Sequence, residues 1–231
     1  MIADCKKAFA LLPHMYQAKS NLLLLIFFLV IGVTTTGNRG DGLDLMTPAF
    51  LWGTYSNVPA SILTRMEYAD CMALSGCRKR TMTVIPALLQ YVSMILMWCL
   101  LVVYANVSGR SADLSSGNAL ILMGVYTLFT LFLSGISAFS GKMNRVLSVL
   151  LMVFLIAIVM LFWIAANKTS MLIPLQSADG AFARFAAGIT PAGTIGIIAL
   201  LGIPLSGLFY LILRITYRRP IRREYLQKLR G

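Results

Sequence analysis

Residues Val84 to Ala105 read VIPALLQYVSMILMWCLLVVYA, a run of twenty-two residues without a charge. At ~1.5 Å per residue this run is roughly 33 Å long as a helix, enough to cross the ~30 Å hydrocarbon core of a bilayer. Within lipid each backbone N–H needs a partner inside its own segment, so the run is a helix and not an open strand. The remainder of the chain is of the same kind. Of its 231 residues 58% are hydrophobic and 12% charged, with a mean hydropathy of +0.81. A soluble globule of this size needs far more polar surface, so a soluble enzyme is excluded. The 20 Lys and Arg outnumber the 8 Asp and Glu, for a net charge of +12. These cations would have to share a surface with long apolar runs, which excludes a nucleic-acid binder.

Outward from this segment, hydropathy marks further spans at 21–37, 117–139, 145–166 and 191–217, with the central one extending over 83–106. The segment 46–65, MTPAFLWGTYSNVPASILTR, is weaker because it contains Pro48, Gly53, Ser56, Asn57 and Pro59. Charge decides whether it counts. With six spans and a cytoplasmic N-terminus, only Arg39, Arg110, Lys168 and Arg184 lie outside and the other sixteen cations lie inside. Five spans would put six cations outside, so the positive-inside rule favours six, with both termini cytoplasmic. Each side then holds four of the eight acids, and the whole +12 lies on the cytoplasmic face. The expected fold is an all-α polytopic membrane protein forming a single transmembrane domain. The first span is followed by Thr-Thr-Thr-Gly-Asn instead of a small-x-small site, so a retained anchor is expected.

Four elements are expected outside the spans. Ile2, Cys5, Phe9, Leu12 and Tyr16 recur at helical steps within 1–20, the pattern of an interfacial amphipathic helix. Residues 66–81 are too polar to span and end in Arg78-Lys79-Arg80; they are either a plain cytoplasmic loop or a short helix that docks a soluble partner. The half-apolar stretch 167–190 is expected to dip back into the outer leaflet as a re-entrant segment. The basic tail 218–231 is attracted to anionic headgroups.

No catalytic constellation is present. Gly135 to Lys142 has five residues between its glycines where a phosphate loop has four, and Met143 stands where magnesium needs a hydroxyl. All eight acids map to loops or ends, so no proton relay is built into the spans. Cys71 and Cys77 lack companion ligands at metal spacing, and His14 is the only histidine, so no metal site is expected. What remains at membrane depth is semi-polar: Trp52, Tyr55, Ser56 and Asn57 in the weak span, and Gln90 and Tyr91 in the next. Such groups are costly in lipid unless they face protein or water. They either line a translocation path, with Trp52, Tyr55, Asn57, Gln90 and Tyr91 as its candidates, or serve as interhelical glue.

The order of elements resembles the membrane subunits of type-2 ABC transporters, whose permease and ATPase are separate chains. In many such permeases an acidic residue precedes a Leu-Pro-x-Ser/Thr-Arg-Lys run that leads into the third span. Here Glu67 precedes Met72-Ala-Leu-Ser-Gly-Cys-Arg-Lys79, in which Leu74, Arg78 and Lys79 match, while Ser75 replaces the proline and Cys77 the hydroxyl residue. The resemblance implies that 66–81 is a coupling helix whose Met66, Glu67, Tyr68, Leu74, Arg78 and Lys79 meet a cytoplasmic ABC ATPase subunit. It further implies a pair of permeases, from a second copy or a paralogue, in a bacterial cytoplasmic membrane. The small size is similar to exporters of amphipathic or antimicrobial peptides, such as phenol-soluble modulin and lantibiotic-immunity exporters, with a lipid-like cargo as a variant. The chain itself would hold no cofactor, since ATP and magnesium would sit on the partner. A stand-alone secondary transporter or channel, or a non-transporting membrane scaffold, is the competing expectation.

Overall fold

In the computed structural model the described residues are 18–34, 45–65, 78–139 and 187–217, together with 150, 153, 154, 157 and 185. Outside them lie residues 1–17 of the expected interfacial helix, 66–77 of the expected coupling helix, most of the expected span 145–166 and outer segment 167–190, and the tail 218–231. Among the described residues the structure is all-helical, with no strand.

In chain order the helices are α1 (Ala18–Thr34), α2 (Met46–Ser56), α3 (Val58–Arg65), α4 (Arg78–Val107), α5 (Ser116–Phe139) and α6 (Pro191–Tyr217), with a 3-10 turn at Ser111–Leu114. Among the described residues three stretches are long and apolar enough to cross a membrane: Met82–Val107, Asn118–Ser137 and Pro191–Tyr217. Their outward faces carry large apolar side chains in the open, among them Val92, Leu96, Val103, Leu200 and Ile203. In water such a surface would drive association; in a bilayer it is the solvated face.

Local chemistry explains the ends and breaks. The weak segment 46–65 is two helices, because Pro59 has no N–H for the carbonyl of Tyr55 and sits in the first turn of α3, where proline is tolerated. Helix α4 ends in a Schellman motif: Gly109 adopts φ 72°, its N–H reaches Asn106 O at 3.3 Å, and the N–H of Arg110 reaches Ala105 O at 2.7 Å. That left-handed position favours glycine. Helix α6 opens with Thr190 as cap, its Oγ1 accepting the N–H of Gly193 at 3.1 Å, followed by Pro191 at the first helical position.

Helices α4 and α6 pack in opposite directions. Trp98 Nε1 donates to Thr194 Oγ1 at 2.9 Å, and a Cβ placed on Gly202 would lie 2.6 Å from Met94 and 2.9 Å from the Tyr91 ring. Carried along both helices, these pairings bring Arg214 level with Arg78-Lys79-Arg80. One end of the bundle is therefore cationic, and the other carries the Gly109 turn. Toward the turn end the core is large, built from Leu45, Trp52, Trp98, Leu101, Ala105, Leu122, Tyr126 and their neighbours. Toward the cationic end a smaller cluster joins Ala60, Ala87, Phe209 and Leu213.

Candidate functional site

Between these two cores lies a layer of buried polar side chains, assembled where α2 breaks into α3. Helix α2 ends at Ser56 and Asn57 links it to α3, so both residues face inward at the break, 0% and 4% exposed. Helix α4 brings Gln90 and Ser93 to the same level, and α5 brings Thr130, Ser134 and Ser137, spaced four and three residues apart on one face.

The contacts run across all three segments. Ser134 Oγ lies 3.1 Å from Asn57 Oδ1, 2.5 Å from its own helix at Thr130 O, and accepts a hydrogen bond from Gln90 Nε2. Asn57 Nδ2 donates to Ser137 Oγ at 3.3 Å. Ser56 Oγ and Thr130 Oγ1 are 3.2 Å apart. Ser93 Oγ approaches the backbone carbonyl of Ser56 at 2.5 Å, so a neighbouring helix serves a carbonyl at the break. One group is left over: Gln90 Oε1 is buried without a hydrogen-bond partner. The layer thus joins three segments through neutral amides and hydroxyls and leaves one acceptor without a donor.

The five residues expected along a path fall in four places. Asn57 and Gln90 belong to the polar layer and meet through Ser134. Trp52 lies a turn away, 3% exposed in the larger core, its ring edge-on to Tyr104 at 5.9 Å and pressed against Gly32, where a Cβ would lie 2.5 Å from Nε1. Tyr55 is half-buried on α2. Tyr91 faces away from the layer, into an apolar groove of about 570 Å³ between α4 and α6, shared with Val84, Leu88, Ile203, Gly207 and Tyr210.

Of the residues expected to dock a partner, Arg78 and Lys79 form the opening turn of α4, continuous with the membrane-crossing stretch, and Lys79 is exposed. Met66, Glu67, Tyr68 and Leu74 lie outside the described residues. Among the described residues, no group of three or more His, Cys, Asp or Glu side chains is placed to hold a metal.

Thr130, Ser134 and Ser137 were not singled out from the sequence, although their spacing is a signal. A stripe of hydroxyls at helical intervals inside an apolar helix marks one face for protein instead of lipid. No protein-family model, curated protein or solved structure matches the chain.

Proposed function

We propose that this chain is the permease subunit of an ABC exporter, working with a second copy or a related chain and driven by a separate ATPase, for an amphipathic or antimicrobial peptide or a lipid-like molecule. The reading rests on the polar layer. Two amides and several hydroxyls at one level of an apolar bundle are costly unless they face protein or water, and interhelical glue alone needs no acceptor left over. Gln90 Oε1, buried with no donor, adds a cost that has no structural return and suits a site that engages a donor during transport. The break at Asn57 adds a place where the second segment can change its packing, as alternating access requires.

The motif around Glu67 and Leu74-Ser-Gly-Cys-Arg-Lys79 supports docking of the ATPase at the cationic end, which the distribution of Lys and Arg assigns to the cytoplasm. Tagged full-length chain, extracted from its own membrane, should bring down a soluble ATPase chain. Glu67→Arg should lose that chain while membrane insertion stays intact. In vesicles, Asn57→Leu should lower ATP-dependent uptake of a fluorescent amphipathic peptide without lowering recovery of the ATPase. Absence of any ATPase chain, with flux that ignores ATP, would instead favour a stand-alone carrier or channel.

A further inference from the structure

The groove holding Tyr91 faces away from the polar layer and is a slot on the scale of part of an acyl chain. It runs along α4 from Val84 to Tyr91 and along α6 from Tyr210 back to Ile203. Its lining from Val84 to Tyr91 rises roughly 10 Å, and Arg80 lies about 6 Å further along α4, so groove and cations together span about half of a ~30 Å hydrocarbon core. Two prolines lie within its length, Pro86 in α4 and Pro204 in α6. Each removes a backbone N–H from its helix ladder within the stretch that flanks the groove. Gly207 adds room, since a Cβ there would meet nothing within 4 Å.

The wall is apolar except for hydroxyls, and the buried Ser206 Oγ has no partner. Charge appears only at one end. Arg214 stands one helical turn beyond Tyr210, exposed, and level with it is the opening turn Arg78-Lys79-Arg80, one turn before Val84, with Lys79 exposed. An apolar slot lying within one leaflet, with cations one turn beyond its headgroup end, is complementary to a molecule with an anionic head and an acyl tail.

We propose that this groove holds an acyl chain of an anionic phospholipid from the leaflet at the cationic end, with its phosphate at the level of Arg214 and Arg78-Lys79-Arg80. The site depends only on the chain lying in a bilayer and stands apart from the transport reading. Full-length chain in nanodiscs of matched phosphatidylglycerol and phosphatidylcholine should, after detergent stripping, retain phosphatidylglycerol preferentially when weighed by native mass spectrometry. Arg214→Gln should cut that preference about fivefold, the change that one cation near an anionic surface carries. Gly207→Leu, which fills the slot, should abolish retention, whereas Gly196→Leu, also in open space on α6, should leave it unchanged. Should Gly207→Leu fail to fold, Arg214→Gln still decides. Equal retention of both lipids, or a preference that survives both groove variants, overturns the proposal. So does disulfide-linked dimer formed through Gly207→Cys in the bilayer, which would make the groove a contact between copies.

Discussion

Toward the Gly109 turn, Trp98, Leu101, Leu122 and Tyr126 are fully buried, with the Trp98 and Tyr126 rings edge-on at 5.0 Å. Toward Arg78 and Arg214 the same helices meet through Ala60, Ala87, Phe209 and Leu213, and α4 and α6 part to form a groove of about 570 Å³. A Cβ on Gly53 would lie 2.9 Å from the Tyr126 ring, and one on Gly202 would meet Met94, whereas Gly207 faces open space. In lipid there is no water to expel from between helices, so association depends on close packing and on hydrogen bonds. The turn end has both, and the cationic end has little of either. A close-packed region switches only between discrete arrangements and resists small deformations, so any repacking of this bundle is cheapest below the polar layer.

The sharpest way to break the comparison is to empty the turn end. Trp98→Ala removes a fully buried indole, its contact with Tyr126 and its hydrogen bond to Thr194. A cavity of that size costs about 3–5 kcal/mol. Reversible unfolding in mixed micelles should show a loss in that range, together with dissociation of α4 from α6 at the turn end. A loss no larger than that of a groove substitution would mean the two ends are packed alike.

A smaller effect is expected at the layer between them. Ser134→Ala leaves the amides of Asn57 and Gln90 without their common partner. Hydrogen bonds between membrane helices are worth about 0.6 kcal/mol on average, and an orphaned buried group costs about 1–3 kcal/mol. A destabilisation of about 1–2 kcal/mol follows. Combined with Asn57→Leu, the loss should be less than the sum of the two singles, because both changes act on one network. Additive losses in the same unfolding assay would show that the layer is a set of separate contacts.

Much of this architecture was legible in the sequence, and the limits have physical causes. The stretches 117–139 and 191–217 coincide with helices to within a residue, since a strongly apolar run of membrane length has few alternatives. Hydropathy placed the start of the central span near 83, yet α4 begins at Arg78, because a helix continues through charged residues that hydropathy assigns to water. The prolines and Asn57 mark 46–65 as something other than one uninterrupted helix, and the break lies at Asn57. For the site, composition singled out Asn57 and Gln90 but not what joins them. Ser134 is a small hydroxyl in an apolar helix, common enough to pass unnoticed until three helices bring it between two amides. Trp52 and Tyr91 share the semi-polar character of those amides but were parted by helix geometry, one facing the core and the other the groove.

The smallest expected effect separates the groove from both other regions. Ser206→Ala removes a hydroxyl whose oxygen is buried and makes no hydrogen bond, so nothing is orphaned by its loss. Serine in a helix usually returns its hydroxyl to a carbonyl one turn back, as Ser93 and Ser134 do at 2.6 and 2.5 Å; Ser206 does not. Deleting an unsatisfied polar atom recovers part of its burial cost, and alanine is the better helix former by a few tenths of a kcal/mol. The expected change is therefore between zero and about 1 kcal/mol of stabilisation in micelles. A loss of stability in micelles, where no bilayer lipid can donate or accept, would mean that Ser206 is tied into the protein after all, and the cationic end would then be less open than its packing indicates.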